Sequence, residues 1–198
     1  MKKRRKIVVY IATSADGFIA RPDGDVAWLD RPRPKGNYGM GEFFRTIDTI
    51  LWGRKTYHRS VEKGVKAAGF GKGIKNYVFS RQPQPSLEPG VEFIGEPIKA
   101  FAQRLRLQPG KDIWMGGGGI IASFLDENEI DEFVIHVVPI FIGEGIPLIE
   151  AHSPRGSLEI ALLPVLSGRG GAASLFDLAI PALDGKSPVG VATYPRQS

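Results

Sequence analysis

Apolar positions in this chain fall into two patterns, and the alternation between them predicts the architecture. Ile7-Val8-Val9-Tyr10-Ile11-Ala12, Thr49-Ile50-Leu51-Trp52, Asn76-Tyr77-Val78-Phe79, Val91-Glu92-Phe93-Ile94 and Ile113-Trp114-Met115 are compact apolar blocks too short for helices, and they read as strands. Between them the apolar residues recur at helical spacing. Ile98, Phe101, Ala102 and Leu105 trace one face of a helix over about residues 97–107, Ile120, Ile121, Phe124 and Leu125 trace another, and residues 42–47 give a short amphipathic helix. Strand and helix alternate through the middle of the chain, so an α/β protein with a largely parallel sheet and helices on both faces is expected.

Three of these strands run into unusual residues. Ile113-Trp114-Met115 empties into Gly116, Gly117, Gly118 and Gly119 just before a helix, Trp52 into Gly53-Arg54-Lys55-Thr56, and Phe79 into Ser80-Arg81. Glycines between a strand and a helix let the backbone touch a ligand, and the free N–H groups and dipole of the helix start favour an anion. A tight turn that only packs closely explains a glycine cluster equally well. The pair Arg54 and Lys55 tips the balance, because cations at a helix N-terminus oppose its dipole unless an anion is present. Ligands of open α/β sheets bind at the carboxyl ends of the strands, and several phosphate-binding ends together outline a dinucleotide. The cationic pair favours the 2′-phosphorylated coenzyme, NADPH, over NADH.

Composition narrows the classes. At 198 residues, 42% hydrophobic and 24% charged, the chain suits one ordinary domain. With no cysteine there is no disulfide framework and no thiolate chemistry, and His58, His136 and His152 lack metal-ligand spacing, so no metal is expected. No apolar segment approaches the roughly 20 residues that span a bilayer, and residues 7–12 are too short for a signal sequence, so a cytoplasmic location is expected. The net charge of +5 owes much to Lys2-Lys3-Arg4-Arg5-Lys6, read as a solvated basic tail over residues 1–6 rather than a nucleic-acid contact. Residues 21–41 form a long irregular stretch anchored by Trp28-Leu29, the length of a substrate-covering loop, and Phe18 and Trp28 are candidates for its lid.

Four motifs in this order, Ile-Ala-Thr-Ser-x-Asp-Gly-Phe-Ile-Ala at 11–20, Trp-Gly-Arg-Lys-Thr-Tyr at 52–57, Phe-Ser-Arg at 79–81 and Asp-Ile-Trp-Met-Gly-Gly-Gly-Gly at 112–119, resemble the dihydrofolate reductase-like superfamily. The likeness runs over about residues 6–150 and is strongest to the reductase domain of the bifunctional riboflavin-biosynthesis deaminase-reductase, which the stretch from Ile130 to Leu148 also resembles. It implies a three-layer α/β/α fold whose mostly parallel mixed sheet ends in antiparallel C-terminal strands. It also implies an NADPH-dependent reductase, homodimeric, acting on a phosphoribosylamino-pyrimidine. Carried onto this chain, the resemblance gives Gly53, Arg54, Lys55 and Thr56 to the adenosine-side phosphates, Ser80 and Arg81 to the adenine ribose, and Gly117, Gly118, Gly119 and Ile120 to the pyrophosphate. The same resemblance implies that Ala12 and Ile19 line the nicotinamide pocket and that Asp16 and Glu144 face the substrate as the catalytic pair.

Three departures bear on function. Folate reduction in this superfamily uses a carboxylate at the start of the helix after the first loop, where this chain has Gly39-Met40-Gly41 with Glu42 nearby. The zinc motif of the deaminase half does not occur in this sequence. The tail reads as a divergent C-terminal strand and arm over residues 166–198, beyond a reductase domain at 7–165, with strands expected at 157–163 and 174–180 and an extended or disordered arm from 181 onward. The rival readings are a folate or other pteridine reductase, a nucleotide-binding module without catalysis, and nucleic-acid binding through the basic start.

Overall fold

In the computed structural model the described residues are 4–30, 39–64, 73–83, 85, 88–149, 159–164 and 188–193. The apolar blocks become β1 (Ile7–Ser14), β3 (Ile47–Gly53), β4 (Lys75–Phe79), β5 (Val91–Ile94), β6 (Asp112–Gly116) and β7 (Glu132–Val138). The helically spaced segments become α1 (Met40–Thr46), α2 (Arg54–Glu62), α3 (Ile98–Leu107) and α4 (Gly118–Asp126). Two short strands, β2 (Phe18–Ala20) and β8 (Ile146–Pro147), pair as an antiparallel ribbon. Late in the chain come β9 (Glu159–Pro164) and β10 (Pro188–Thr193).

Among the described residues the main sheet has eight strands in the order β5-β4-β3-β6-β1-β7-β10-β9. The first six are mutually parallel, and β10 runs antiparallel to both β7 and β9. The dihydrofolate reductase-like three-layer fold expected from the sequence is therefore present. Period-two alternation assigns the faces. Ile7, Val9, Leu51, Tyr77, Ile113 and Met115 meet Phe101, Leu105, Ile121 and Phe124 of α3 and α4, whereas Val8, Tyr10, Ile50, Trp52, Val78 and Trp114 meet Met40, Phe43, Phe44 and Tyr57 of α1 and α2. Edge-on aromatic contacts, such as Phe79 to Phe124 at 5.3 Å and Tyr77 to Phe101 at 5.0 Å between ring centres, lock the α3/α4 side. Each fully buried phenylalanine or leucine there contributes about 1.5–3 kcal/mol.

Two sequence expectations are corrected. Within the basic start Arg5 is not solvated, although Arg4 and Lys6 on either side of it are exposed. Arg5 is only 5% exposed, ion-pairs with Asp48 and donates to Thr49 Oγ1 at 2.7 Å and to the Lys111 carbonyl at 2.5 Å. Lys6 pairs with Glu132 at 3.0 Å. These cations neutralise acids at the amino end of the sheet. The C-terminal arm is corrected too, because residues 188–193 form β10 inside the sheet, between β7 and β9, rather than an extended or disordered arm. Pro188 takes the first position of that strand, where a missing N–H is tolerated. The strand expected at 157–163 appears as Glu159–Pro164, and the one expected at 174–180 lies outside the described residues. No described helix is long and apolar enough to cross a membrane.

Candidate coenzyme and active site

Strands β3 and β6 are hydrogen-bonded neighbours, with Trp52 opposite Gly116, so their carboxyl ends deliver α2 and α4 side by side. The two helix starts touch. A Cβ on Gly53 would lie 3.5 Å from that of Ile120, an ordinary contact, whereas one on Gly117 would collide with the Thr56 side chain. Gly117 also has φ +105°, a conformation that L side chains rarely adopt. Neither helix has a side-chain cap or an acid in its first turn, which leaves two adjacent sets of backbone donors for a ligand. Arg54 and Lys55 stand exposed at the start of α2 and make no hydrogen bond or ion pair among the described residues.

Gly119 gives a direct test of whether a ligand fits here. It lies in the first turn of α4 with nothing within 4 Å of an added Cβ, so neither φ nor protein packing demands a glycine. Alanine there would gain about 1 kcal/mol of helix propensity. Open space next to uncapped N–H groups is what a pyrophosphate would fill, and the donor set suits its charge.

One strand further out, β4 pairs Phe79 with Gly53, which brings Ser80 and Arg81 to the same rim. The Ser80 hydroxyl donates to the Gln82 carbonyl at 2.9 Å and accepts from the Gln82 N–H at 3.2 Å, so it shapes the turn after β4. Arg81 is exposed and forms no hydrogen bond or ion pair among the described residues.

On the other side the β2/β8 ribbon covers the start of α4. A Cβ on Gly118 would lie 2.9 Å from Ile19 Cδ1 and 3.4 Å from Ile146 Cγ2, while Gly145 packs against the Ala20 carbonyl too closely for any side chain. Ala12 is half-buried in β1 and opposite His136 in β7. Asp16 reaches the loop after β7, accepting the Gly143 N–H at 2.8 Å and the Ile142 N–H at 3.1 Å. Hydrogen bonds from Ser14 and then from these backbone groups hold its carboxyl below the usual carboxylate range. The main chain binds the same two loops together, through Ala15 N–H to Ile140 O at 2.8 Å and Leu148 N–H to Gly17 O at 3.0 Å. Glu144 projects from this pinned loop, exposed and without a hydrogen bond or ion pair among the described residues.

The structure thus gathers Gly53, Thr56, Gly117, Gly118, Ile120 and Ile19 into one contiguous surface, with Arg54, Lys55, Ser80 and Arg81 along its rim and Asp16 and Glu144 on one clamped pair of loops. Ile146, Pro147 and Ala20 also contribute contacts, and nothing in their local spacing marks them in the sequence. Glu42, the carboxylate near the folate position, pairs with Arg45 at 3.1 Å on an exposed helix face. Among the described residues no three histidines, aspartates or glutamates gather to hold a metal ion.

Comparison with known proteins bears on the family and the fold. The family model of the RibD C-terminal domain matches residues 97–171. The uncharacterized protein YwjB of Bacillus subtilis is 42% identical over 147 residues, covering 73% of this chain and 82% of its own. The chain belongs to the RibD C-terminal domain family. A second B. subtilis relative, the uncharacterized protein YyaP, is 34% identical over 158 residues, covering 74% of this chain and 81% of its own. Among solved structures, the protein named "Putative riboflavin biosynthesis protein" from Shewanella sp. PV-4 superposes with a TM-score of 0.71 at 24% identity, covering 98% of this chain and 99% of that one. The Thermotoga maritima diaminohydroxyphosphoribosylaminopyrimidine deaminase/5-amino-6-(5-phosphoribosylamino)uracil reductase gives 0.61 at 16%, with 97% of this chain matching 57% of that longer one. A dihydrofolate reductase from Enterococcus faecalis, complexed with NADP(H), gives 0.59 at 16%, covering 98% and 97%. These structural likenesses concern the fold that RibD C-terminal domains share with dihydrofolate reductase.

Proposed function

We propose that this RibD C-terminal domain is an NADPH-dependent reductase acting on a phosphoribosylamino-pyrimidine or a similar heterocycle. The observation that carries the reading is the pair of uncapped helix starts in contact through Thr56 and Gly117, flanked by the exposed cations Arg54 and Lys55. When bound, NADPH supplies the hydride. The chain's part is to bind, orient and exclude water. The N–H groups at Gly118 and Gly119 and the space above Gly119 receive the pyrophosphate, while Arg54 as a planar fork and Lys55 as a point charge receive the 2′-phosphate, with Arg81 beyond them. Ser80 holds the turn that presents Arg81. Ala12 and Ile19 supply the apolar wall for the nicotinamide.

Asp16 and Glu144 divide their work in this reading. Asp16 directs its carboxylate oxygens to the Ile142 and Gly143 N–H groups and so fixes the loop, leaving Glu144 to meet the substrate. The Glu42–Arg45 pairing does not favour folate as substrate. The family resemblance adds a homodimer.

Thermal melting with NADPH and with NADH, on the wild type and on Arg54→Ala, tests the coenzyme assignment. The wild type should shift more with NADPH. In R54A that preference should shrink about tenfold in affinity, the worth of a charge-assisted hydrogen bond near 1.5 kcal/mol. Equal shifts with both coenzymes, or none, would remove the assignment. NADPH oxidation with candidate pyrimidines then separates a reductase from a binding module.

A further inference from the structure

We propose that Arg59 latches the loop of residues 21–29 onto the coenzyme helix α2, so that this loop and the helix start that binds phosphate are held as one body. The loop itself is observed, and its coupling to the coenzyme rests on the function proposed above. Arg59 is then a positioning residue for the reaction.

The loop is knit by its own bonds. Gly24 N–H donates to the Arg21 carbonyl at 2.8 Å, Arg21 N–H to the Asp25 carbonyl at 2.9 Å, Asp25 N–H to Asp23 Oδ1 at 2.8 Å and Ala27 N–H to Asp25 Oδ2 at 3.2 Å. At its far end Trp28 is buried, in a single 3₁₀ turn. Such a segment moves as a unit. At its apex Gly24 has φ +80°, and the Nη1, Cζ and Nη2 atoms of Arg59 all crowd the place where a side chain on Gly24 would start. The guanidinium therefore lies against the Gly24 backbone, whose φ of +80° itself favours a glycine.

Charge follows the same contact. Lys55 and Arg59 in α2 and Lys63 just past its end are spaced by four in the sequence. Asp25 Oδ1 lies 4.0 Å from Lys63 Nζ, and Asp23, Gly24 and Asp25 share a cavity of about 290 Å³ with Arg59, Glu62 and Lys63. The loop thus pairs with Lys63 through Asp25, rests its Gly24 backbone on Arg59, and leaves Lys55, at the helix start, for the coenzyme phosphate. An exposed contact of this kind is weak enough to open in turnover and sensitive to salt.

Hydrogen exchange of the full chain without coenzyme, read by mass spectrometry, tests the latch with Arg59→Gln, Arg59→Lys and Lys63→Gln. At low salt R59Q should raise exchange of peptides covering 21–30 by about threefold to fivefold, the factor an exposed pair is worth, while α2 stays protected. K63Q should act in the same direction but less, R59K should be intermediate, and the wild type should approach R59Q in about 1 M NaCl. Stopped-flow fluorescence should show NADPH release from R59Q faster by a similar factor with its association unchanged. Unaltered exchange at 21–30, or a rise spread equally over 54–63, overturns the latch. Raised exchange with an unaltered release rate overturns its coupling to the coenzyme. A wild type that binds no NADPH would defeat the proposed function instead, and the exchange experiment would still decide whether the latch exists.

Discussion

The side chain of Thr56 fills the space that a β-carbon on Gly117 would need, so α2 and α4 meet through a residue that has none. Two penalties await any replacement of that glycine. Its φ of +105° strains an L residue by about 1–3 kcal/mol, and the collision with Thr56 adds about 1–3 kcal/mol of overpacking. Gly117→Ala should therefore lower stability to urea by several kcal/mol. Adding Thr56→Ala should recover only the overpacking part. Strict additivity of the two changes would show that the helix starts do not press on one another.

Gly119 makes the opposite prediction. Its surroundings are empty and its backbone helical, so Gly119→Ala should leave the fold intact and raise stability by about 0.5–1 kcal/mol. The added methyl group would stand in the space assigned to the pyrophosphate, and NADPH affinity should fall by about tenfold or more, roughly 1.4 kcal/mol or above. Denaturation and coenzyme titration on one preparation check both signs. A variant that gains stability and keeps full affinity would show that no ligand comes near.

How much of this was legible in the sequence depends on the range of the forces involved. The sequence pattern marks β5 at its observed bounds, Val91 to Ile94, and α3 within a residue, because an apolar block or a helical stripe is a local signal. The glycine run after β6 and the cations after β3 were legible for the same reason. The fate of Arg5 was not, since its partners Asp48 and Lys111 are 43 and 106 residues away and only the closed sheet brings them near. β10 was missed because a proline-rich setting argues locally against order, whereas pairing with β7 and β9 on both sides overrides it. Asp16 was picked out as a candidate by its motif, but its hold on the loop 126 and 127 residues further on needed the structure.

That hold makes the two loops sensitive to acid. Hydrogen bonds from Ser14, Gly143 and Ile142 depress the pKa of Asp16 in the folded protein, so the stabilisation it gives is complete above the ordinary aspartate range, near pH 4, and is lost as pH falls through the depressed value. Asp16→Asn removes the charge at every pH. The difference in melting temperature between wild type and D16N should be constant from about pH 5 to 8 and shrink below about pH 4. In D16N hydrogen exchange at residues 140–145 should rise at neutral pH. A difference that persists unchanged into strong acid would mean that the charge of Asp16 does not hold the loop.

Arg106 is the residue whose loss should cost the fold most while sparing the coenzyme. Its guanidinium is buried with Glu129, donates to the Glu129 carbonyl at 2.8 Å and pairs with Asp131 at 2.5 Å, and Asp131 in turn accepts the Ile7 N–H at 2.8 Å at the start of β1. Removing one partner of a buried pair strands the other charge, at about 3–5 kcal/mol. Arg106→Met should lose stability on that scale, whereas Arg106→Met combined with Glu129→Leu should recover much of it because fewer charges stay buried. The cluster belongs to the amino end of the sheet, opposite the phosphate-binding rim, so any folded fraction of R106M should bind NADPH as the wild type does. Urea denaturation gives the first quantity and titration in the cold the second. A folded R106M with weakened coenzyme binding would show that the two ends of the sheet are coupled.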